Sequence, residues 1–498
     1  MVLKGDALME FLENRQDSSR RVSQEREGLH LQDQRAIVLT MQRVLLLLFA
    51  CLPLIAQAPA PLRQTEQSAS GASLSLRDAV ARAMQQNPRL EAMQAQEGVA
   101  TERVNAAKSG YLPQVNYQEM MQRGNNPVYV FGALLTQRQF TENNFAINSL
   151  NRPDFLNNFQ SMLTVDQMLF DAGRTRNAVR GAEIGRQTEE HRTHAAELGI
   201  MQHVLEAYLG AKLGEAAWGA AEESVRSAEA DLQRAQAFRE EGMTTDADVL
   251  SIRVHLASVR QEAIRRRTQL EIARAALNVA MGVPEDSQFI LVTALMESSY
   301  EAAELSGSQT SAISERPELR MAMKGIEAAR VQENIQRSRY WPEVFVRGAF
   351  EADRQELVNK GGTNWLFAAG LRWNLFNGFG TKAKVAESRY AADAAEAQKR
   401  EAEAGVRFEV RRAWLEWNAV KERLALARAS ITEAEESLRI TRDRYQNGLS
   451  TVTDLLRTET AVLSAKTGFL AAVFEQRVAA ARLEAAKGTL SPDSLLFD

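Results

Sequence analysis

Residues 410–445 read VRRAWLEWNAVKERLALARASITEAEESLRITRDRY, and the spacing of their apolar side chains decides the fold. A large side chain recurs at every seventh position, and a second series lies three positions after it. The two series are Val410, Trp417, Leu424, Ile431, Leu438, Tyr445 and Ala413, Val420, Ala427, Ala434, Thr441. Such a repeat predicts a helix that packs as a left-handed coiled coil, with close contacts at the alanines.

The predicted helix is very long. Residues 381–447 contain one glycine and no proline, so an unbroken helix over them would span roughly 100 Å. Residues 204–235 carry the same pattern, in which the larger series is Val204, Ala211, Trp218, Val225 and Leu232. Glycines at 242 and 448 are expected to end the two long helices, and return helices are expected to end at glycines 282 and 488.

Motifs of the first half recur in the second half. NPRLEAM at 87 and YLPQV at 111 return as RPELRMA and YWPEV 229 positions later, and LFDAGRT at 169 returns as LFNGFGT 206 positions later. The first copy therefore carries 23 extra residues, between Val115 and Leu169. We predict two structural repeats, over 74–284 and 310–490, layered within one domain over 59–498.

Each repeat is predicted to hold a helix, two strands, the long helix and the return helix. Pro113 and Pro342 end the first helices, because proline lacks an amide donor and favours an extended residue before it. Alternating apolar positions then predict strands. The strand residues on one face are Leu163, Val165 and Phe367, Ala369, Leu371, Trp373, Leu375. The predicted fold class is mainly α with a small β part.

The amino terminus resembles an export signal. Arg43 precedes the apolar stretch VLLLLFACLPLIA at 44–56, and small residues follow at Ala56 and Ala58. We interpret 41–58 as a signal peptide and 1–40 as a disordered extension or a start placed too early. A lipoprotein signal ending at Cys51 is the alternative.

Composition excludes several classes of protein. The 498 residues carry a net charge of −4 and one cysteine, so neither a basic nucleic-acid surface nor an intrachain disulfide framework is expected. His191 and His194 are three apart without an evident third ligand, and no phosphate loop or nucleophile motif is present. No catalytic residue, metal site or cofactor is predicted.

Four strands with one apolar face need partners. In a membrane only a closed barrel satisfies every strand, and barrels begin at about eight strands. Several copies of the chain are therefore expected to contribute strands to one barrel, with the long helices forming a second, helical barrel beneath it. A tube of this kind is a conduit.

The motifs quoted above, together with RYQNGLSTVTDLL at 444–456, resemble the TolC-like outer membrane efflux protein family over residues 74–490. The resemblance implies a homotrimer with a 12-stranded β-barrel in outer membrane lipid and an α-helical barrel across the periplasm. It also implies a passive duct that docks to a periplasmic adaptor (membrane fusion) protein and an inner-membrane pump of the RND or ABC type.

The resemblance places adaptor contacts at the two helical turns. The corresponding residues are Gly242, Met243, Thr244, Asp248 and Gly448, Leu449, Ser450, Thr451, Asp454. The alternative is that these residues only form good turns and helix caps.

The resemblance also implies a periplasmic gate at Tyr445, Asp248 and Asp454. Where the family pattern has a second aspartate, three residues after Asp454, this chain has Arg457. Arg457 is expected to pair with Asp454 or Asp248, or to remain a solvated surface charge.

Two further points stay open. The 23-residue insertion lies within NNPVYVFGALLTQRQFTENNFAINSLNRPDFLNN, which starts at residue 125. Its segment from Val128 to Leu135 is too apolar for a free loop and is expected to fold against the mouth of the tube or inward as a constriction. A soluble periplasmic coiled-coil scaffold is the alternative function, although a scaffold would not need the strands around Trp373.

Overall fold

The computed structural model describes residues 71–359 and 361–498. The predicted extension 1–40 and signal peptide 41–58 lie outside these residues. The described helices are α1 Leu76–Gln86, α2 Pro88–Lys108, α3 Pro127–Thr136, α4 Ile147–Asn151, α5 Arg174–Glu240, α6 Asp246–Met281, α7 Leu305–Glu315, α8 Pro317–Ser338, α9 Gly380–Gln446 and α10 Val452–Lys487. The described strands are β1 Ala72–Leu74, β2 Gln114–Gly124, β3 Leu156–Phe170, β4 Phe289–Leu291, β5 Glu343–Arg354 and β6 Gly362–Arg372.

The two long helices, α5 and α9, are each 67 residues long. Near the strands, α2 packs on α5, and α8 lies between α5 and α9. Towards the far turns, α6 packs on α5, and α10 contacts both long helices. The helices therefore form one layer, which ends at α2 and α6 on one side and at α9 on the other.

The predicted heptad positions are buried along part of each long helix. Val410, Trp417 and Leu424 are buried on α9, as are Val204 and Ala211 on α5. Further along α5 the alanines at 221, 228 and 235 are buried, whereas Ile431, Ala434 and Leu438 of α9 are only partly buried. Small side chains let neighbouring helices approach closely, which explains why alanine recurs in the second heptad series.

The four longer strands form an antiparallel sheet in the order β2-β3-β5-β6. In register, Leu163 pairs with Tyr117 and with Phe350, and Phe350 pairs with Trp365. The prediction for β6 was too long, because the strand ends at Arg372 and leaves Trp373 and Leu375 beyond it. The indole of Trp373 instead donates to the carbonyl of Tyr340, at 3.0 Å.

The junction between the strands and each long helix needs two consecutive residues with positive φ. In the first repeat these are Ala172 (53°) and Gly173 (79°); in the second they are Gly378 (62°) and Phe379 (64°). Each repeat has one glycine in the pair, at opposite positions. The left-handed conformation costs a residue with a Cβ roughly 1–2 kcal/mol, so each turn carries one strained residue instead of two.

A belt around the middle of the helical layer was not predicted. It consists of α1, α7 and the parallel pair β1–β4, in which Leu74 pairs with Leu291. The fully buried Tyr208 on α5 joins this belt to the long helix. Its hydroxyl donates to the carbonyl of Leu74 (2.8 Å) and accepts from the amide of Thr293 (2.9 Å).

Candidate functional site

The two far turns, between α5 and α6 and between α9 and α10, have the same backbone geometry. Gly242 and Gly448 adopt φ of 75° and 70°. The next amides close the helix ends, from Met243 to the carbonyl of Phe238 at 2.7 Å and from Leu449 to that of Arg444 at 2.8 Å. Left-handed glycine followed by this bond is a Schellman-type stop. Met243 and Leu449 are 61% and 68% exposed, so each turn ends in an apolar tip.

Asp248 and Asp454 begin the return helices as partners in capping boxes. The Thr245 and Thr451 hydroxyls each accept from the aspartate amide, at 3.2 Å, and donate to its carboxylate, at 2.7 Å. Hydrogen bonds from these threonines are the main cause that lowers the pKa of both aspartates. Both carboxylates therefore stay ionised and are held by their own helix ends.

Two of the predicted tip residues reinforce these caps. The hydroxyls of Thr244 and Ser450 lie 3.0 and 3.3 Å from the carboxylates of Asp248 and Asp454. Thr245 was missed as a site residue. The motif Thr-x-x-Asp at 245–248, and the 206-residue offset from Thr451, are the signals that could have found it.

Arg457 is exposed on the first turns of α10. Its charge contributes to lowering the pKa of Asp454, after the hydrogen bonds from Thr451. Among the described residues no ion pair joins it to Asp454 or Asp248. Of the three expectations, the structure favours the solvated charge.

Tyr445 lies across the interface between the two helical hairpins. It packs against an apolar cluster of Ala235, Val249, Ile252 and Val452. Its hydroxyl is buried and has no hydrogen-bond partner among the described residues. Burial, followed by the charges of Asp248 and Asp231, raises its pKa, so the side chain is a neutral phenol that ties α9 to the first hairpin.

A buried polar group beside Tyr445 was not predicted. We call it the tip cluster. It comprises Ser227, Asp231, His255, Arg442 and Glu459, which lie roughly one to four helical turns from the ends of their helices. Arg442 donates to Glu459 and to Ser227, both at 2.8 Å. Ser227 lies 3.1 Å and His255 3.5 Å from the Glu459 carboxylate. These side chains come from α5, α6, α9 and α10, so the cluster joins both hairpins.

The pKa values of the two carboxylates in the tip cluster shift in opposite directions. Asp231 is 2% exposed, and its nearest cations are Arg234 at 3.2 Å and Arg442 at 3.9 Å. Burial, and then the neighbouring Glu459, raise the pKa of Asp231 to about 7. Burial opposes ionisation of Glu459 as well, but hydrogen bonds from His255, Asp231 and Arg442 lower its pKa. Protonation of Asp231 relieves the repulsion between the two carboxylates, which is why the pKa of Asp231 is the one that rises.

The predicted helix–strand junctions lie at the starts of the strands. Pro113 and Pro342 lie directly before β2 and β5. Among residues 71–359 and 361–498 no group of histidine, cysteine and acidic side chains could hold a metal ion. In the same part of the chain, no helix has both the length and the apolar character to cross a membrane.

The sequence matches the family model described as outer membrane efflux protein over residues 79–283 and 310–489. These two segments cover most of the chain. The chain belongs to the outer membrane efflux protein family. The TolC-like resemblance and the predicted fold class, mainly α with two repeats, are thereby confirmed.

Solved structures share the fold of this efflux protein. The Campylobacter jejuni CmeC outer membrane channel has a TM-score of 0.70 at 16% identity, with 88% of this chain and 92% of that chain covered. A membrane protein from Pseudomonas aeruginosa has a TM-score of 0.70 at 18% identity, with coverage of 85% and 92%. The open Neisseria gonorrhoeae MtrE outer membrane channel has a TM-score of 0.64 at 18% identity, with coverage of 84% and 91%. A search of curated protein sequences finds no match.

Family membership identifies the protein as an outer membrane efflux channel, which is not a class of enzyme. The elements that matter for a channel are therefore its wall and its two ends. The helical tips with the tip cluster form one end, and the hairpin ends of the sheet form the other.

Proposed function

We propose that this efflux protein is the passive exit duct of a tripartite export assembly, closed into a homotrimer and energised by an inner-membrane pump of the RND or ABC type through a periplasmic adaptor. The supporting observation is that the sheet and the helical layer stop at the same two edges. One edge carries β2 with α2, which are joined through Pro113, and the other carries β6 with α9.

Closure of several copies into a ring would pair the free strand edges and cover the free helix edges together. Unpaired strand edges cannot face lipid, and an open helical layer leaves apolar seam residues uncovered. Three copies supply twelve strands, above the minimum of about eight for a barrel. The long helices would then extend roughly 100 Å into the periplasm. The scaffold alternative leaves the exposed apolar residues of the sheet, among them Val115, Trp365 and Phe367, without a role.

The test is the assembly state of the protein in its own membrane. We expect it in the outer membrane fraction, as an oligomer that resists detergent without heating and dissociates to a 55.4 kDa chain, less any cleaved signal, after boiling. Cross-linking of intact cells should stop at three subunits. A monomer in detergent, or a protein released with the soluble periplasmic fraction, would exclude the duct.

The proposed gate at the tips gives a separate prediction. Asp248, Asp454 and Arg457 from three copies would surround the entrance, where Arg457 offsets the two aspartates. Arg457→Asp should therefore increase cation selectivity, measured as a shift of the reversal potential in a salt gradient across a planar bilayer. Arg439→Asp, on the exposed face of α9, is the control. Equal selectivity in the wild type and Arg457→Asp would remove Arg457 from the gate.

A further inference from the structure

The two faces of the four-stranded sheet differ in chemistry. One face carries exposed Val115, Tyr117, Leu163, Trp365 and Phe367. The registered pairs show that the other face is polar, for example Asn116 with Thr164, Gln160 with Asp353, and Asp166 with Arg347. In a membrane barrel the apolar face meets lipid and the polar face lines the lumen.

The insertion folds onto the polar face. Helix α3 begins after its cap Asn126 and contacts β3, β5 and β6. At its start, the Tyr129 hydroxyl reaches the carbonyls of Gln122 (3.1 Å) and Leu156 (3.3 Å). At its end, the Arg138 guanidinium donates to the carbonyl of Thr363 at 2.8 Å. The helix therefore crosses all four strands at their hairpin ends.

A buried hydrogen-bond chain holds α3 in this place. Gln137 is 1% exposed, and its amide donates to the carbonyl of Asn157 and to the side chain of Asn158, both at 2.9 Å. Asn158 donates onward to Asp353, at 2.7 Å. Gly362 allows the close approach, since a Cβ there would lie 1.8 Å from the carbonyl oxygen of Thr136. The contact is thus built into three strands and is not an incidental loop position.

The opposite face of α3 is apolar and uncovered. Val130 and Ala133 face the sheet and are buried, whereas Val128 and Leu135 are 83% and 49% exposed. Phe131 shares their side of the helix and stacks edge-on with Phe140, with ring centroids 4.8 Å apart. If α3 lies in the lumen, this apolar face points away from the wall towards the axis.

The diameter of the proposed barrel determines how much of the lumen three α3 helices would fill. Twelve strands about 4.8 Å apart and tilted by about 40° give a barrel roughly 24 Å across. A helix with its side chains is about 10 Å thick, so one α3 on the inner wall from each copy leaves almost no opening. We propose that residues 126–155 form a constriction at the outer end of the duct, in which α3 helices of the three copies meet across the axis through Val128, Phe131 and Leu135.

This constriction rests on the proposed trimeric barrel, and it adds an exit gate at the end opposite the helical tips. A narrow apolar ring can exclude water and ions without a charged lining. The passage would open if α3 moved outward past the hairpin ends of the strands, which requires release of the hydrogen bonds of Gln137 and Tyr129.

The experiment reads access from the outer side only, so that the state of the helical tips does not matter. Asn116→Cys places a thiol on the polar face of β2, below α3, and a bulky membrane-impermeant maleimide is added to intact cells. We expect slow labelling while α3 is intact. In the triple variant that adds Tyr129→Phe and Gln137→Ala, labelling should rise roughly tenfold, the factor expected when a buried hydrogen-bonded contact is lost.

Two controls and a second variant keep the test decisive. Val358→Cys, in the exposed β5–β6 turn, should label equally in both backgrounds, and the chain without an added cysteine reports any reaction of Cys51. Leu135→Asp, which leaves the anchoring bonds in place, should also increase labelling of Asn116→Cys. Rapid labelling with intact α3, or no increase in either variant, would overturn the constriction. Loss of the detergent-resistant trimer in the same samples would instead count against the barrel itself.

Discussion

Replacing Arg442 with methionine should destabilise the contact between the two helical hairpins by about 3 kcal/mol, because removal of one partner leaves buried charge uncompensated. Arg442 donates to Glu459 and Ser227 and is a cation near Asp231. Methionine keeps much of the length of the side chain but supplies no donor. The tips should separate more readily, and bilayer recordings of the variant should show more frequent or larger openings, together with a lower unfolding temperature.

Arg439→Met is the matched control for this prediction. Arg439 lies one turn earlier on α9, and its guanidinium pairs with Glu436 and Asp443 on an exposed face of the helix. Exposed pairs of this kind contribute about 0.2–1 kcal/mol, so the control should change neither openings nor unfolding measurably. Equal behaviour of the two variants would show that the tip cluster does not hold the hairpins together.

Gly448→Lys should abolish efflux while leaving detergent-resistant oligomers in the outer membrane. Gly448 has φ of 70°, a conformation that costs a side chain roughly 1–2 kcal/mol. A Cβ at this position would meet no surrounding atom within 4 Å, so lysine meets no steric obstacle within the chain. Its charge would instead occupy the apolar tip beside Leu449, where we propose that the adaptor docks. Susceptibility of the host to a panel of exported antibiotics and dyes measures the loss.

The control for this substitution is Gly405→Lys. Gly405 lies within the exposed part of α9, far from the turn, also with open space around it. Lysine there replaces a poor helix former and should be neutral or stabilising by up to about 1 kcal/mol. Resistance that is lost in Gly448→Lys and kept in Gly405→Lys would locate the defect at the tip. Full resistance in both would argue against docking there.

Short-range sequence patterns predicted the long helices and their ends well. The heptad series of α9, the stops at Gly242 and Gly448 and the proline breaks before β2 and β5 each depend on residues close together in the chain. The capping boxes belong to the same class, and Thr245 was missed only because the repeat offset was not applied to it. By contrast, β1 and β4 are three residues each, too short to show any periodicity. Their position depends on Tyr208, more than 130 residues from Leu74.

The sequence by itself determined the two repeats, the long helices and a four-stranded sheet with one apolar face, since these follow from spacing, glycine and proline. Tertiary structure alone decided which charges become buried and which face the insertion covers. Asp231 and Glu459 are ordinary acidic residues in their own helices. Only the packing of four helices removes both from water and places both within 4 Å of Arg442. Likewise, Gln137 becomes an anchor only because the folded sheet places Asn158 beside it, held in turn by Asp353. Desolvation and contacts of this kind depend on residues that are distant in the chain, so a local sequence pattern does not reveal them.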